Sequence, residues 1–464
     1  MSLSRSTKIA LLVAATFFME NLDATVIATA LPDMAKSFNV LPVDLNISMS
    51  SYMLALAAFI PISGWLADAM GARLVFTCAI ALFCLASALC GLSDSLGAFL
   101  AARVLQGFSG ALMVPVGRLA VLRATPKKDL VKAIGYITTP ALIAPVLGPP
   151  LGGLIVMHCG WPWIFYLNLP LGLVALIAAV RLIPDHSVEH VRPFDWKGFV
   201  LLGLTCVMLL TGLEVLGQDI HQAWPGIILC VAALMLGIGS FRHMRRAANP
   251  LLNLDVLSIP TFSTSFVGAS LFRVCISTLP FLLPLMFQLA FGLSPLDAGL
   301  LVLTVFAGNL VMKFGTTRII QQWGFRNVLL VNGIVGAASI AACATFDAST
   351  PHSLIMLALF IGGLSRSLQF TAYNTLAFAD VPQPSMSTAS TLFSISFQLS
   401  MGMGVAVAAL LLRLSMAMHG NESVQTSGDF HLVFIMIAVL AVIAMYDSWR
   451  LEAKAGSAVL QRQP

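Results

Sequence analysis

Fourteen apolar runs, each long enough to cross a lipid bilayer, constrain this chain more than any other feature of its sequence. One crossing of the hydrocarbon core needs about 20 predominantly apolar residues. In chain order, the approximate limits of the predicted helices 1 to 14 are Ile9–Ala30, Ser48–Asp68, Leu74–Leu92, Gly97–Leu122, Lys132–His158, Trp163–Leu182, Phe199–Gly217, Trp224–Phe241, Phe262–Leu289, Pro295–Ile320, Val328–Phe346, Ser353–Phe378, Ser387–Leu414 and Phe430–Arg450. These runs leave no room for a soluble domain, so the sequence predicts an all-α polytopic membrane protein.

The composition supports this prediction. Hydrophobic residues make up 58% of the chain and charged residues 10%, whereas an ordinary soluble domain carries about 25% charged residues. That excludes a soluble enzyme, a nucleic-acid binder and a disordered scaffold, because so much apolar surface cannot face water. The sequence contains neither a G-x-x-x-x-G-K-[ST] nucleotide motif nor an H-E-x-x-H metal motif. We therefore expect a protein that is not an enzyme and that holds no metal and no cofactor.

Lysine and arginine are distributed unevenly among the loops, which predicts the orientation of the chain. One side carries Arg5, Lys8, Arg73, Arg123, Lys127, Lys128, Arg192, Lys197, Arg242, Arg245, Arg246, Arg318, Arg326, Arg450, Lys454 and Arg462, and the other carries Lys36 and Arg413. By the positive-inside rule, both termini lie in the cytoplasm of a protein in the cytoplasmic (inner) membrane. A cleaved signal peptide ending at Ala30 is disfavoured, because its apolar run is too long and contains acidic residues.

A short internal echo suggests two related halves. Gly71-Ala72-Arg73 lies between helices 2 and 3, and Gly324-Phe325-Arg326 lies between helices 10 and 11. Setting helices 7 and 8 aside places these turns at equivalent positions of two six-helix halves, and repeated halves are typical of secondary transporters. The predicted organisation is an N-terminal bundle (1–182), a linker with two extra membrane helices (183–261) and a C-terminal bundle (262–464).

Charged residues within the predicted helices mark candidate functional positions, because charge is costly in a membrane. Glu20 and Asp23 are three residues apart on helix 1 and share one face. Asp23 and Arg103 of helix 4 each lie about 10 Å below the same membrane surface, so we expect them to meet. Such a pair fits proton coupling, and it also fits a purely structural ion pair.

Polar side chains at helical spacing predict a water-filled central cavity. Arg273 of helix 9 and Arg366 of helix 12 lie near the membrane centre. The stripes are Ser270, Arg273 and Ser277 on helix 9, Arg366, Gln369 and Tyr373 on helix 12, and Ser387, Thr391, Ser394 and Gln398 on helix 13. Hydrogen bonding between helices is the alternative explanation for any one of them.

Helix 5 contains the motif Gly148-Pro149-Pro150-Leu151-Gly152-Gly153. The prolines withhold backbone donors, and glycines let a neighbouring helix approach closely. A bent, tightly packed helix is expected, and an ordinary packing face of small residues is the alternative.

Four motifs and one further segment resemble the fourteen-helix drug/proton antiporters of the major facilitator superfamily over essentially the full chain. Residues 21–32 resemble the helix 1 signature of that family, and residues 64–73 resemble its loop motif between helices 2 and 3. Residues 100–111 resemble its helix 4 motif. The helix 5 antiporter motif is matched by Gly135, Gly148, Pro149, Gly152 and Gly153. The segment Trp161-Pro162-Trp163-Ile164-Phe165-Tyr166-Leu167-Asn168-Leu169-Pro170-Leu171-Gly172 also looks like this family. Ala69 and Ala144 depart from the family pattern, and Glu20 is an extra acid.

The resemblance implies a major facilitator fold of two six-helix bundles with two inserted helices. It also implies a monomer that exports small amphipathic compounds in exchange for protons, by alternating access. Asp23, Arg103 and Glu20 are then the proton-coupling candidates, and the substrate cavity holds Glu20, Arg273, Arg366, Gln369, Tyr373 and Gln398. Gly64, Asp68, Gly71 and Arg73 form the gating loop, and Gly148, Pro149, Gly152 and Gly153 favour exchange over leak.

Two other functions remain open at this point. Arg273 and Arg366 make a dedicated exporter of a specific, anionic metabolite the first alternative. A transporter-like sensor without flux is the second, and the lack of a signalling domain in the linkers counts against it.

Overall fold

The computed structural model describes residues 4–41, 45–184, 193–218, 223–418 and 426–460, and every regular element in these ranges is helical. Twelve helices in these ranges are long and apolar enough to cross a membrane. One of them, Leu296–Cys343, is in fact two helices that meet at Gly324. The 30-residue helix Leu130–Cys159 is a further span. The described chain thus accommodates the fourteen predicted membrane helices.

We number these spans in chain order. Their bounds are α1 Arg5–Phe38, α2 Ile47–Met70, α3 Ala72–Gly91, α4 Leu96–Ala124, α5 Leu130–Cys159, α6 Trp163–Leu182, α7 Trp196–Gln218, α8 Ala223–Arg246, α9 Pro260–Ala290, α10 295–323, α11 325–343, α12 His352–Ala379, α13 Met386–Met418 and α14 Ser427–Ile443.

The two glycines of the repeated motif interrupt the helices in the same way. Gly71 has φ 85° between α2 and α3, and Gly324 has φ 73° between α10 and α11. Residues with a Cβ rarely adopt such angles, so glycine is required at both turns. The echo seen in the sequence therefore corresponds to a repeated backbone feature.

The inserted pair α7 and α8 lies across the seam between the two halves. α7 packs against α2 on one side and α13 on the other, and α8 packs against α7. Glu214 of α7 accepts a 2.6 Å hydrogen bond from the Ser50 hydroxyl of α2. The outer side of α8 exposes Leu234 and Met235, which suits contact with lipid.

Polar contacts join the halves at the end of the bundle that holds the α2–α3 turn, which we call the Arg73 end. The Ser387 hydroxyl of α13 donates to Oδ2 of Asp68 in α2 over 2.5 Å. The hydroxyls of Ser63 and Thr391 lie 3.2 Å apart across the same seam. The polar stripe predicted on helix 13 therefore begins within the contact between the two halves.

Candidate functional site

Asp23 of α1 and Arg103 of α4 form a buried ion pair. Nη1 of Arg103 lies 2.8 Å from Oδ2 of Asp23, and both side chains are 1% exposed. The sequence predicts the same membrane depth for these two groups, and the structure brings them into contact. Because each charge would be costly alone in this setting, the pair is a stable unit only while both partners stay ionised.

Neutral donors complete the surroundings of the Asp23 carboxylate. Its Oδ1 accepts hydrogen bonds from Nε2 of Gln106 at 2.9 Å and Nδ2 of Asn168 at 2.7 Å. Both amides also donate to the hydroxyl oxygen of Ser87. Both carboxylate oxygens are thus used as acceptors, which is the role an ionised carboxylate can fill.

An aromatic cluster covers this network toward the end of the bundle opposite the Arg73 end. Phe99 lies one turn before Arg103, with its ring centroid 5.6 Å from that of Phe165 and 6.3 Å from that of Trp161. Phe38 packs on Trp161 at 5.3 Å. These rings shield the ion pair from water, which strengthens its electrostatic attraction.

Tyr52 of α2 links the ion pair to Glu20. Its hydroxyl donates to Oε1 of Glu20 over 3.2 Å, and its ring centroid lies 4.5 Å from Cζ of Arg103. A Cβ at Gly110 would lie 3.2 Å from both Glu20 Oε1 and the Tyr52 oxygen. Glycine at this position therefore leaves the space in which the two side chains meet.

A cavity of about 160 Å³ lies between the two halves, beside this network. It contains one acid, Glu20, and one guanidinium, Arg118, and its walls are largely apolar. Residues of the N-terminal half on its wall include Phe17, Glu20, Tyr52, Leu56, Val114 and Arg118, and those of the C-terminal half include Phe370, Asn374, Phe378, Ser394, Phe397 and Gln398. A largely apolar pocket with a few convergent polar groups is the usual form of a small-molecule site.

Two arginines lie on the ring of Phe393, the residue before Ser394, which lines this cavity. Cζ of Arg118 is 4.9 Å from the Phe393 centroid, and Cζ of Arg273 is 4.3 Å from it. Arg118 donates to the Ser394 hydroxyl over 2.9 Å and Arg273 to Oδ1 of Asn374 over 3.3 Å. Nε and Nη1 of Arg273 have no hydrogen-bond partner among the described residues. Positive charge is therefore concentrated at and next to the cavity that also contains Glu20.

The structure separates the predicted cavity residues into two groups. Glu20 and Gln398 line the central cavity, and Arg273 packs against its aromatic wall. The predicted helix 12 stripe, which is Arg366, Gln369 and Tyr373, instead lines a second cavity of about 40 Å³ inside the C-terminal half.

In this structure the helix 12 stripe therefore does not line the central cavity, and its place in the substrate cavity stays a prediction. Gln369 accepts a 2.8 Å hydrogen bond from Asn332 of α11, and the Tyr373 oxygen lies 3.1 Å from that of Ser448. Helical spacing shows that the three residues share a face, and it does not tell which neighbour that face meets.

Sequence reasoning missed two charged residues that the rule on intramembrane charge would have selected. Arg118 of α4 lines the central cavity. Lys313 of α10 donates from Nζ to the hydroxyls of Thr138 in α5, at 2.8 Å, and Thr371 in α12, at 3.0 Å. Tyr52 and Ser87 carried no signal in the sequence, because a neutral residue in an apolar run looks like any other packing residue.

The predicted gating loop lies where the halves meet. Asp68 pairs with Arg123 of its own half at 2.9 Å and accepts the Ser387 hydrogen bond from the other half. A Cβ at Gly64 would lie 2.6 Å from Oγ1 of Thr391, so glycine permits this close contact. Arg73 is half-buried at the start of α3.

The antiporter-motif glycines of α5 face α1. A Cβ at Gly148 would lie 2.9 Å from Cβ of Thr25, and one at Gly152 would lie 2.9 Å from Cγ1 of Val26. A Cβ at Gly153 would have nothing within 4 Å, and the side chain of Pro149 lies outside the described residues. Two of the four motif residues therefore let α5 approach the helix that carries Glu20 and Asp23.

The sequence profile of the Major Facilitator Superfamily matches residues 13–405 and, in a second match, residues 266–457. The chain is 37% identical over 442 residues to the putative multidrug resistance protein MdtD of Pectobacterium carotovorum subsp. carotovorum (strain PC1), covering 94% of this chain and 93% of that protein. It is 36% identical over 388 residues to the protein of the same name from Salmonella paratyphi A (strain ATCC 9150 / SARB42), covering 83% and 82%.

Two solved structures share the fold. The human organic anion transporter MFSD10 (TETRAN) has a TM-score of 0.67 at 15% identity, over 96% of this chain and 100% of that one. The proton:xylose symporter XylE has a TM-score of 0.65 at 12% identity, over 98% and 99%. These identities carry information on the fold alone. From the profile match and the relatives of up to 37% identity, this multi-pass membrane protein is a transporter and belongs to the Major Facilitator Superfamily, as its motifs predict.

Proposed function

We propose that this chain exports small amphipathic compounds across the cytoplasmic membrane in exchange for protons, with both termini in the cytoplasm. The observation that carries the proposal is the connection from the buried Asp23–Arg103 pair through Tyr52 to Glu20 at the central cavity. The names of the relatives MdtD, as multidrug resistance proteins, support a substrate class of drug-like compounds.

The proton acts at Asp23. Protonation neutralises the carboxylate and leaves the Arg103 guanidinium without its counter-charge, which is strongly unfavourable in a buried site. Because Arg103 then binds other acceptors, α1 and α4 shift relative to each other. Because α1 also carries Glu20 and packs closely on α5, the shift reaches the cavity.

The arrangement of the halves fits one step of this cycle. The contacts of Asp68 and Ser63 with α13 close the Arg73 end, which the distribution of lysine and arginine assigns to the cytoplasm. When the cavity is closed on the cytoplasmic side, its substrate can leave only toward the outside of the cell. A proton from outside can then enter.

The cavity suits an amphipathic cation. Its apolar walls accept a hydrophobic body, and Oε2 of Glu20 has no hydrogen-bond partner among the described residues. A substrate cation satisfies this carboxylate oxygen and gains the surrounding apolar contact.

A second candidate function is export of a specific organic anion. It is favoured by Arg118, which lines the cavity, and by Arg273, which shares the Phe393 ring with it. The unpartnered nitrogens of Arg273 offer charge-assisted hydrogen bonds to a carboxylate.

Transport by purified protein in proteoliposomes separates these functions. A lipophilic fluorescent cation and a size-matched fluorescent anion are compared under an imposed pH gradient, with the gradient collapsed by an uncoupler as control. We expect uncoupler-sensitive movement of the cation. Uncoupler-sensitive movement of the anion alone supports the second candidate, and absence of flux for both contradicts the proposal of broad export.

A further inference from the structure

A groove of about 310 Å³ lies between α5 and α10, apart from the central cavity. Its walls include Leu147, Leu303 and Leu310, whose side chains are 41%, 42% and 46% exposed. In a chain that spans a bilayer, this exposed apolar surface faces lipid. The groove is therefore reached from the membrane.

Asn309 is a polar residue in this apolar groove, and it lacks protein partners. Its side chain is 1% exposed, and neither its amide oxygen nor its amide nitrogen has a hydrogen-bond partner among the described residues. A buried amide without partners destabilises a protein and is rare in native structures. The residue therefore points to a ligand that supplies hydrogen bonds.

Lys313 lies one turn from Asn309 and gives the groove a positive charge. It is the one charged residue among the described residues that line the groove, and none of the ion pairs of the described chain involves it. Its ammonium group donates to Thr138 and Thr371, which leaves one of its three N–H donors available.

Lys313 also separates the groove from the central cavity. Thr138, which accepts its hydrogen bond from α5, lines the central cavity. The contact joins the two halves, because Thr138 belongs to the N-terminal half and Lys313 to the C-terminal half. A ligand that uses the third N–H of the ammonium group can bind while this contact stays in place.

We propose that the groove is a binding site for lipophilic acids that enter from the bilayer, with the carboxylate accepting hydrogen bonds from the Lys313 ammonium group and from Nδ2 of Asn309. Charge complementarity selects an anion, and the apolar walls select a hydrophobic body. Lys313 is ten residues from the end of α10, about 15 Å along the helix. A phospholipid phosphate stays at the membrane surface, whereas a free lipophilic acid reaches this depth.

Photolabelling tests the site without any proton gradient, so its outcome is independent of the proposed coupling. The full-length protein in nanodiscs of neutral phosphatidylcholine is labelled with a diazirine-bearing decanoic acid and, separately, with the matching alcohol. We expect adducts in 303–313 and 139–147, with the acid labelling about tenfold more strongly, as loss of a charge-assisted hydrogen bond implies. Equal labelling by acid and alcohol overturns the proposal and identifies the groove as a contact for lipid tails.

Three variants test which side chains bind the carboxylate of the acid. Lys313→Gln is expected to reduce acid labelling about tenfold and to leave alcohol labelling unchanged, while Lys197→Gln, an exposed lysine elsewhere, changes neither. Asn309→Leu is expected to reduce acid labelling while raising the thermal stability of the unliganded protein, because it removes an unsatisfied amide. Undiminished acid labelling in Lys313→Gln contradicts the proposal, and so does an Asn309→Leu variant that loses stability but keeps its labelling.

Discussion

At the scale of single residues, two carboxylates one helical turn apart have different surroundings. Asp23 is paired with Arg103 and accepts two further amide hydrogen bonds. Glu20 faces the central cavity, with Oε1 accepting a hydrogen bond from Tyr52 and with no hydrogen-bond partner for Oε2 in the described part of the chain. We infer that Asp23 serves coupling and Glu20 serves substrate recognition, because only Glu20 can be reached by a substrate.

The first prediction concerns Glu20. In Glu20→Gln, we expect the KM for a lipophilic monovalent cation to rise about tenfold, which corresponds to ~1.4 kcal/mol of lost attraction. The KM for a neutral compound of the same size is expected to change less than twofold. Proteoliposome uptake kinetics measure both, and an equal loss for the two compounds contradicts a role in charge recognition.

A second prediction concerns Tyr52. Tyr52→Phe keeps the ring beneath Arg103 and removes the hydroxyl that bonds Glu20. We expect gradient-driven export to fall about tenfold, the usual effect of losing a hydrogen bond to a charged group, while protein yield and thermal stability stay close to normal. Tyr136→Phe makes the same chemical change outside the network and serves as the control; equal export rates in the two variants contradict the linkage.

The amino-acid sequence predicts only some of the contacts between individual side chains. The sequence predicts a common depth for Asp23 and Arg103, because depth depends only on residue count. The partners of Arg366 and the link through Tyr52 depend on how each helix is rotated about its axis, and one sequence carries no direct measure of that rotation. Arg118 and Lys313 could have been found, since both are charges within predicted membrane helices.

At the scale of elements, Asp195 ties the inserted helix pair together. Its Oδ1 accepts the N–H of Gly198 at 2.8 Å in the first turn of α7 and lies 2.9 Å from Nε2 of His243 in α8. Its Oδ2 accepts the N–H of Leu251 at 3.1 Å. Partial burial works to raise the pKa of Asp195, but these hydrogen bonds outweigh it and hold the pKa below its ordinary value.

The third prediction follows from this helix cap. Asp195→Ala is expected to cost about 1 kcal/mol locally, which raises the hydrogen-exchange rate in the first turn of α7 about fivefold at pH 7. Because the folded pKa is lowered, the stabilisation is present above the unfolded pKa of about 3.9 and is lost as the pH falls through the folded value. The difference between variant and unmodified protein should therefore shrink below about pH 4.

Asp129 offers a matched control for this experiment. It occupies the same position before α5 but makes no side-chain capping hydrogen bond. Asp129→Ala is therefore expected to leave exchange in α5 unchanged. Similar effects of the two substitutions would show that the capping geometry of Asp195 does not stabilise α7.

At the scale of the whole molecule, the fourteen spans and the superfamily follow from the sequence, because hydropathy and motif order do not depend on how the helices pack. The repeated helix break at Gly71 and Gly324 also follows from the sequence, because it depends on a local motif. The division into 1–182, 183–261 and 262–464 stays a prediction. The seam between the halves was not predictable, since the helix 13 stripe fits equally a wet cavity and a contact with Ser63 and Asp68.

The residue proposed for proton coupling lies outside the central cavity. Asp23 and its partners lie within the N-terminal half, and the cavity lies between the halves. The central claim is therefore that a change of charge at Asp23 changes the relation of the halves, with Tyr52 and α1 as the connection.

Transport by Asp23→Asn tests this claim most directly. Asparagine has nearly the shape of aspartate and keeps a hydrogen bond, but it cannot take up a proton. In proteoliposomes, with substrate binding measured to establish that the variant is folded, we predict downhill exchange that no longer accelerates when a pH gradient is imposed. Asp33→Asn, an exposed change further along the same helix, is expected to respond to the gradient as the unmodified protein does. If Asp23→Asn also accelerates with the gradient to the same extent as the unmodified protein, coupling does not reside at Asp23.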